Sequence, residues 1–142
     1  LDYLIETRHI APSAIVLDGR DLGANLALEL AAAHPELAGV ILESPLEDAT
    51  SAIFHDARAR LVPARLLVRD RYDLRAAGTA LHIPSLWFLP SSNKDSSKAS
   101  SEPAAYKVIK PRKMLVWLPP GSDAESDFSN ELSRWLDGLP AR

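Results

Sequence analysis

The segment Gly19-Arg20-Asp21-Leu22-Gly23 sets a carboxylate between glycines, after an apolar run and before a long alanine-rich stretch. Glycine lets a backbone turn sharply and lets a helix approach a strand closely, so this spacing presents the Asp21 side chain at a helix N-terminus. A carboxylate held there is suited to acid–base or nucleophilic work, and its attack needs no prior deprotonation. The other candidates are scattered. Asp95, in NKDSS, is a lone carboxylate in a serine-rich loop, of the kind that caps a turn or helix. Ser122, in PPGSDAESDF, reads as a cap before a terminal helix, and a hydroxyl cannot replace imidazole as a general base near neutral pH. His55, in SAIFHDARAR, is the alternative base or else a residue of a surface helix. Asp18, Asp21 and Asp95 lack the His or the close-spaced ligands of a metal loop, so neither metal nor cofactor is expected.

These residues belong to a chain of 142 residues that is 46% hydrophobic, enough to bury a core and sized for a single domain over 1–142. A net charge of -3 offers no basic field for nucleic acid, and no run of about 18 apolar residues is present to span a membrane. With no cysteine there is neither a disulfide framework nor a thiolate zinc site, which fits a reducing compartment and points to the cytoplasm. The partners left open are a small-molecule ligand or another protein. The chain opens on Leu1 rather than Met, and LDYLIETRH reads as an amphipathic helix rather than a signal sequence, so a segment upstream is expected.

Strand-like and helix-like runs alternate in the elements that must position the candidates. The first helix ends near His9, and beyond Pro12 the run Ala14 to Leu17 reads as a short buried strand, with GRDLG as the turn that follows. Leu22 to His34 is a helix whose Leu22, Leu26, Leu30 and Ala33 are spaced to pack on a sheet. AGVILES is a continuous apolar run of the kind a parallel strand shows when covered on both faces. Residues 45 to 80 are less regular, with Pro45 and Pro63 punctuating an arginine-rich helical stretch (Arg58, Arg60, Arg65, Arg69, Arg71) that reads as a solvated face. Pro84 to Leu89 is a third strand, followed by a serine-rich loop and a helix over Ala104 to Ile109. Lys113 to Leu118 is a fourth strand. Asp123 to Leu139 is a closing helix with Phe128, Leu132, Trp135, Leu136 and Leu139 on one face. The expected fold is α/β, a parallel sheet of about four strands flanked by helices, with ligands at the carboxyl ends of the strands. On that polarity His9, His34 and His82 fall at the opposite edge, leaving His55 on the reactive side.

The glycine-flanked turn between strand and long helix resembles the G-x-S-x-G nucleophile elbow of α/β hydrolases, with Asp21 in place of Ser. The stretch from LDYLIETRH to VILESP is similar to the middle of serine hydrolases of the esterase and serine-aminopeptidase type. PARLLVRDRYDLRAAGTALHIPSLWFL resembles their lead into the next core strand, and KMLVWLPPG the strand whose following loop bears the catalytic His. The resemblance covers nearly the whole chain and implies a C-terminal half of the three-layer fold, with the family's N-terminal strands lying outside this sequence.

Carried onto these positions, the resemblance puts the nucleophile at Asp21, the triad acid at Asp95, the triad His near Ser122, and an oxyanion donor at the Leu22 backbone N–H. The loss of both Ser and His implies degenerate machinery, and hence a noncatalytic binding or interaction scaffold or a truncated hydrolase. The alternative is an active hydrolase of ester, peptide, halide or epoxide substrates with Asp21 as nucleophile, as in the haloalkane dehalogenases and epoxide hydrolases that carry Asp at this elbow. Their usual Trp after the Asp is Leu22 here. A strand at Ala14 to Leu17 without the family's preceding strands would expose an apolar edge, from which self-association or pairing with a separate N-terminal fragment is expected.

Overall fold

Apolar runs separated by helices line up as one parallel sheet in the computed structural model, which describes residues 1–47, 73–91, 102–119 and 123–139. The strands β1 (Val16–Arg20), β2 (Gly39–Glu43), β3 (Ser85–Pro90) and β4 (Lys113–Leu118) lie in the order β1-β2-β3-β4, every pair parallel. The register pairs Arg20 with Glu43, Glu43 with Phe88, and Phe88 with Val116, so the strand ends form one rim. Central β2 and β3 are buried along nearly their whole length, which their unbroken apolar sequences require. Among the described residues β1 and β4 are the sheet edges.

Side chains alternate between two faces. Val40, Leu42 and Trp87 pack with α1 (Leu22–Ala33), α2 (Leu74–Ala80) and α3 (Ala104–Val108) in one cluster. Ile41, Leu86 and Phe88 pack on the other side with Trp135 of α4 (Asp123–Asp137). A methyl on Gly39 would lie 2.7 Å from the Trp135 ring, so the indole seats against β2 where a side chain is missing. Phe128 adds a tilted ring contact to Phe88 at 4.4 Å between centroids. Helices on both faces of a parallel sheet make the three-layer arrangement.

Several boundaries and faces differ from the sequence reading. The first helix is a π-type turn over Tyr3–Thr7, and Pro12–Ala14 is a 3-10 turn with proline opening it, which delays β1 to Val16. From there the strand continues through Gly19 and Arg20, because an edge strand keeps Asp18 and Arg20 exposed while its backbone pairs with β2. The face of α1 is also reversed. Ala24, Asn25, Ala27, Leu28 and Ala31 are buried, while Leu26 and Leu30 stay 45% and 39% exposed. The cause is the close approach of α1 to β1: a methyl on Gly19 would sit 2.3 Å from the Gly23 carbonyl oxygen, so the face turned inward is made mostly of alanines, with Leu28 the one leucine fully buried in it. On α4 Trp135 is buried and Phe128, Leu132 and Leu139 are partly so, whereas Leu136 is 40% exposed. The arginine-rich stretch Arg58 to Arg71 lies outside the described residues. The structure instead defines α2 just beyond it, capped by Asp73, which accepts from the Arg75 and Ala76 amides at 3.0 Å.

Candidate functional site

At the carboxyl end of β1 the chain must pass from a strand into a helix within one residue, and Asp21 is that residue. Its backbone sits at φ 52, ψ -119, a combination that L-residues avoid. Its amide donates to the Glu43 carbonyl at 2.8 Å, extending the β1–β2 ladder past the strand ends, and its own carbonyl accepts from Ala24 N–H at 3.1 Å. The side chain is exposed on the rim. Leu22 opens α1, so its N–H falls among the first four of a helix, which have no intrahelical acceptor. Gly19 meets the steric demand of the turn. Gly23 does not share it, since a methyl there would meet open space.

The neighbouring strand ends add residues that sequence reasoning passed over. Glu43 ends β2 and is partly buried; Ser44 follows it at φ 47 and turns the chain, its amide donating to the Phe88 carbonyl at 2.9 Å. Asn25, almost wholly buried in α1, holds the next segment at two points. Its amide nitrogen donates to the Leu46 carbonyl at 2.9 Å, and its oxygen accepts from the Leu46 amide at 3.0 Å. A cavity of about 240 Å³ opens on this rim, with Arg20, Glu43, Ser44 and Ser91 as polar lining and Phe88 and Leu118 among its apolar walls. Burial pushes the Glu43 carboxyl above the usual carboxylate range, the negative charges of Asp18 and then Asp21 push the same way, and Arg20 opposes them. One signal was available in sequence: Glu43 closes a continuous apolar run, so it ends a buried parallel strand and faces the edge where ligands bind.

Of the residues singled out from sequence, Asp21 and Leu22 stand together at the β1–α1 turn. Asp95, Ser122 and His55 lie outside the described residues. His9, His34 and His82 precede β1, β2 and β3, and so belong to the opposite edge of the sheet; His34 is bonded to Glu36 at 2.8 Å. Among the described residues no three His, Cys, Asp or Glu side chains are grouped as a metal site. Nor is any described helix long and apolar enough to cross a membrane.

Solved structures share this arrangement. The α/β hydrolase GrgF from Penicillium sp. sh18 superposes with a TM-score of 0.57 at 18% identity, over 89% of this chain and 63% of its own. An acetyl xylan esterase from Paenibacillus sp. R4 superposes at 0.61 and 12% identity, over 91% of this chain and 46% of its own. This chain carries an α/β-hydrolase fold. MGS-MChE2, an α/β hydrolase enzyme from a lagoon-sediment metagenome at Mar Chica, Morocco, is similar too, with a TM-score of 0.61 at 14% identity over 94% of this chain and 64% of its own. The α/β-hydrolase fold seen here thus spans roughly half to two thirds of each of these chains. No protein-family profile and no curated protein matches the sequence.

Proposed function

We propose that this chain belongs to a hydrolase that opens an ester, peptide, halide or epoxide substrate with Asp21 as the nucleophile. The observation that carries the reading is the Asp21 backbone at φ 52, ψ -119 between strand and helix. Such a conformation costs about 1–3 kcal/mol and persists where the surrounding structure over-determines it, as nucleophile elbows do. In this role the Asp21 carboxylate attacks carbon and the Leu22 N–H faces the oxyanion formed when the resulting ester is cleaved. Asp95 would orient or activate a base, His55 would be the histidine available as that base, and by resemblance of sequence the position of the family's own histidine falls near Ser122. The three solved structures named above support the hydrolase reading by fold alone. The test is intact mass of the protein after incubation with an activated ester, an alkyl halide and an epoxide. A covalent adduct or a hydrolysis product that Asp21→Asn does not give is expected, and the absence of both from a folded wild-type protein would sink the reading.

A noncatalytic binding scaffold with degenerate machinery is the second reading, and the unpaired edge of β1 favours it. β1 is a sheet edge among the described residues, and Leu26 and Leu30 on the outer face of α1 are exposed. In this reading the edge pairs with a second copy or with a separate N-terminal fragment. Light scattering across a wide concentration range should then detect association, and Asp21→Ser alone should give no esterase activity. The cytoplasm is the proposed location on the strength of the cysteine-free sequence.

A further inference from the structure

A nucleophilic carboxylate is freed only when water attacks its ester, and that water needs a base. The described histidines His9, His34 and His82 belong to the far edge of the sheet. On the near edge stands Glu43. We propose that the Glu43 carboxylate, in place of His55, is the general base of this site, taking the proton of the water that releases Asp21 from its covalent ester. The proposal rests on the reading of Asp21 as nucleophile and adds to it the residue that completes turnover.

The geometry carries it in three ways. Glu43 is the register partner of Arg20, and the Asp21 amide bonds the Glu43 carbonyl at 2.8 Å, so the two acidic residues occupy adjoining strand ends. Neighbouring strands run about 4.8 Å apart, a separation that side chains of this length and one water can span. Glu43 also lines the rim cavity of about 240 Å³, together with Arg20, the residue that immediately precedes Asp21. Ser44, turned at φ 47 with its amide bonded to the Phe88 carbonyl, ends β2 immediately after Glu43, which is therefore the last strand residue before the cavity. Partial burial and the charge of Asp18, which both persist while Asp21 is esterified, raise the proton affinity of this carboxylate, with Arg20 opposing, and a stronger base is better matched to work near neutral pH.

The steps balance with 1-bromobutane as probe. An Asp21 oxygen bonds the terminal carbon as the carbon–bromine bond breaks, and bromide leaves with the electron pair. Water then adds to the Asp21 ester carbonyl while Glu43 takes one of its protons. The tetrahedral intermediate collapses with cleavage of the alkoxy bond, the alkoxide recovers the proton from Glu43 and leaves as butanol, and the Asp21 carboxyl gives up its remaining proton to solvent. No oxidant or further reactant is needed.

Wild type, Glu43→Gln, Glu43→Asp and Asp21→Asn would be incubated with 1-bromobutane and followed by intact mass, with circular dichroism to show that each is folded. Adduct should form on wild type and on Glu43→Gln at similar rates, then clear from wild type and persist on Glu43→Gln with decay slowed about 100-fold or more. Glu43→Asp keeps the carboxylate and should clear at an intermediate rate; if Glu43→Gln does not fold, this variant decides. Equal clearance from wild type and variant, or equal persistence on both, overturns Glu43 as base and leaves Asp21 as nucleophile. Adduct on none of the folded proteins overturns the Asp21 reading and the base with it.

Discussion

Gly19 of β1 lies so close beneath Gly23 of α1 that a methyl group on Gly19 would stand 2.3 Å from the Gly23 carbonyl oxygen and 2.6 Å from its carbon. Both obstacles are backbone, which cannot rotate away. Gly19→Ala is therefore expected to cost about 3 kcal/mol by overpacking, whereas Gly23→Ala, opening into free space, should be neutral or gain about 0.5 kcal/mol from lost chain entropy in the unfolded state. Urea denaturation of the two variants checks this pair. Equal losses would mean that the helix does not approach the strand as described.

The two-point hold of Asn25 on Leu46 is the tie between α1 and the segment after β2. Asn25→Ala strands a backbone N–H and a carbonyl in a partly buried place, and should lower stability by about 2 kcal/mol. Hydrogen exchange gives the sharper readout. The Leu46 amide should exchange faster in the variant by more than the global loss of stability explains, and a purely global effect would contradict the tie.

Glu43 gives a pH signature of its own. Its carboxyl is raised in the folded protein, first by burial, then by Asp18 and Asp21, against the opposing pull of Arg20. The folded state therefore holds the Glu43 proton more tightly than the unfolded chain, whose value is about 4.3. Stability from this group is fully present below that value and is lost as pH rises through the raised one. Glu43→Gln cannot ionise, so its stability relative to wild type should improve as pH rises from the ordinary carboxylate range through the raised value of Glu43. Thermal melts at acid and neutral pH decide it, and a difference that is flat with pH would contradict the raised proton affinity of this residue.

How far these features were legible in the sequence differs from residue to residue. AGVILES announced β2 because a buried parallel strand needs an unbroken apolar run, and β4 fell on Lys113–Leu118 as read although its residues are only partly buried. GRDLG announced the turn, since glycine beside a short polar residue is what a strand-to-helix reversal requires. The same polar residues concealed that Gly19 and Arg20 are still strand. Leucine spacing on α1 predicted the wrong face, because periodicity ranks residues by hydrophobicity and takes no account of the gap into which they must fit.

By itself the sequence determined an α/β chain with parallel strands, helices between them and an aspartate at the first strand-to-helix turn, because apolar runs, proline positions and glycine spacing act locally along the chain. Only the tertiary structure decided that Ala24, Ala27, Leu28 and Ala31 rather than Leu26 and Leu30 turn inward, that Asn25 holds Leu46, and that Glu43 shares a rim with Asp21. These depend on distances between residues remote in sequence, set when β1 and β2 pair in register and α1 closes to within contact of Gly19.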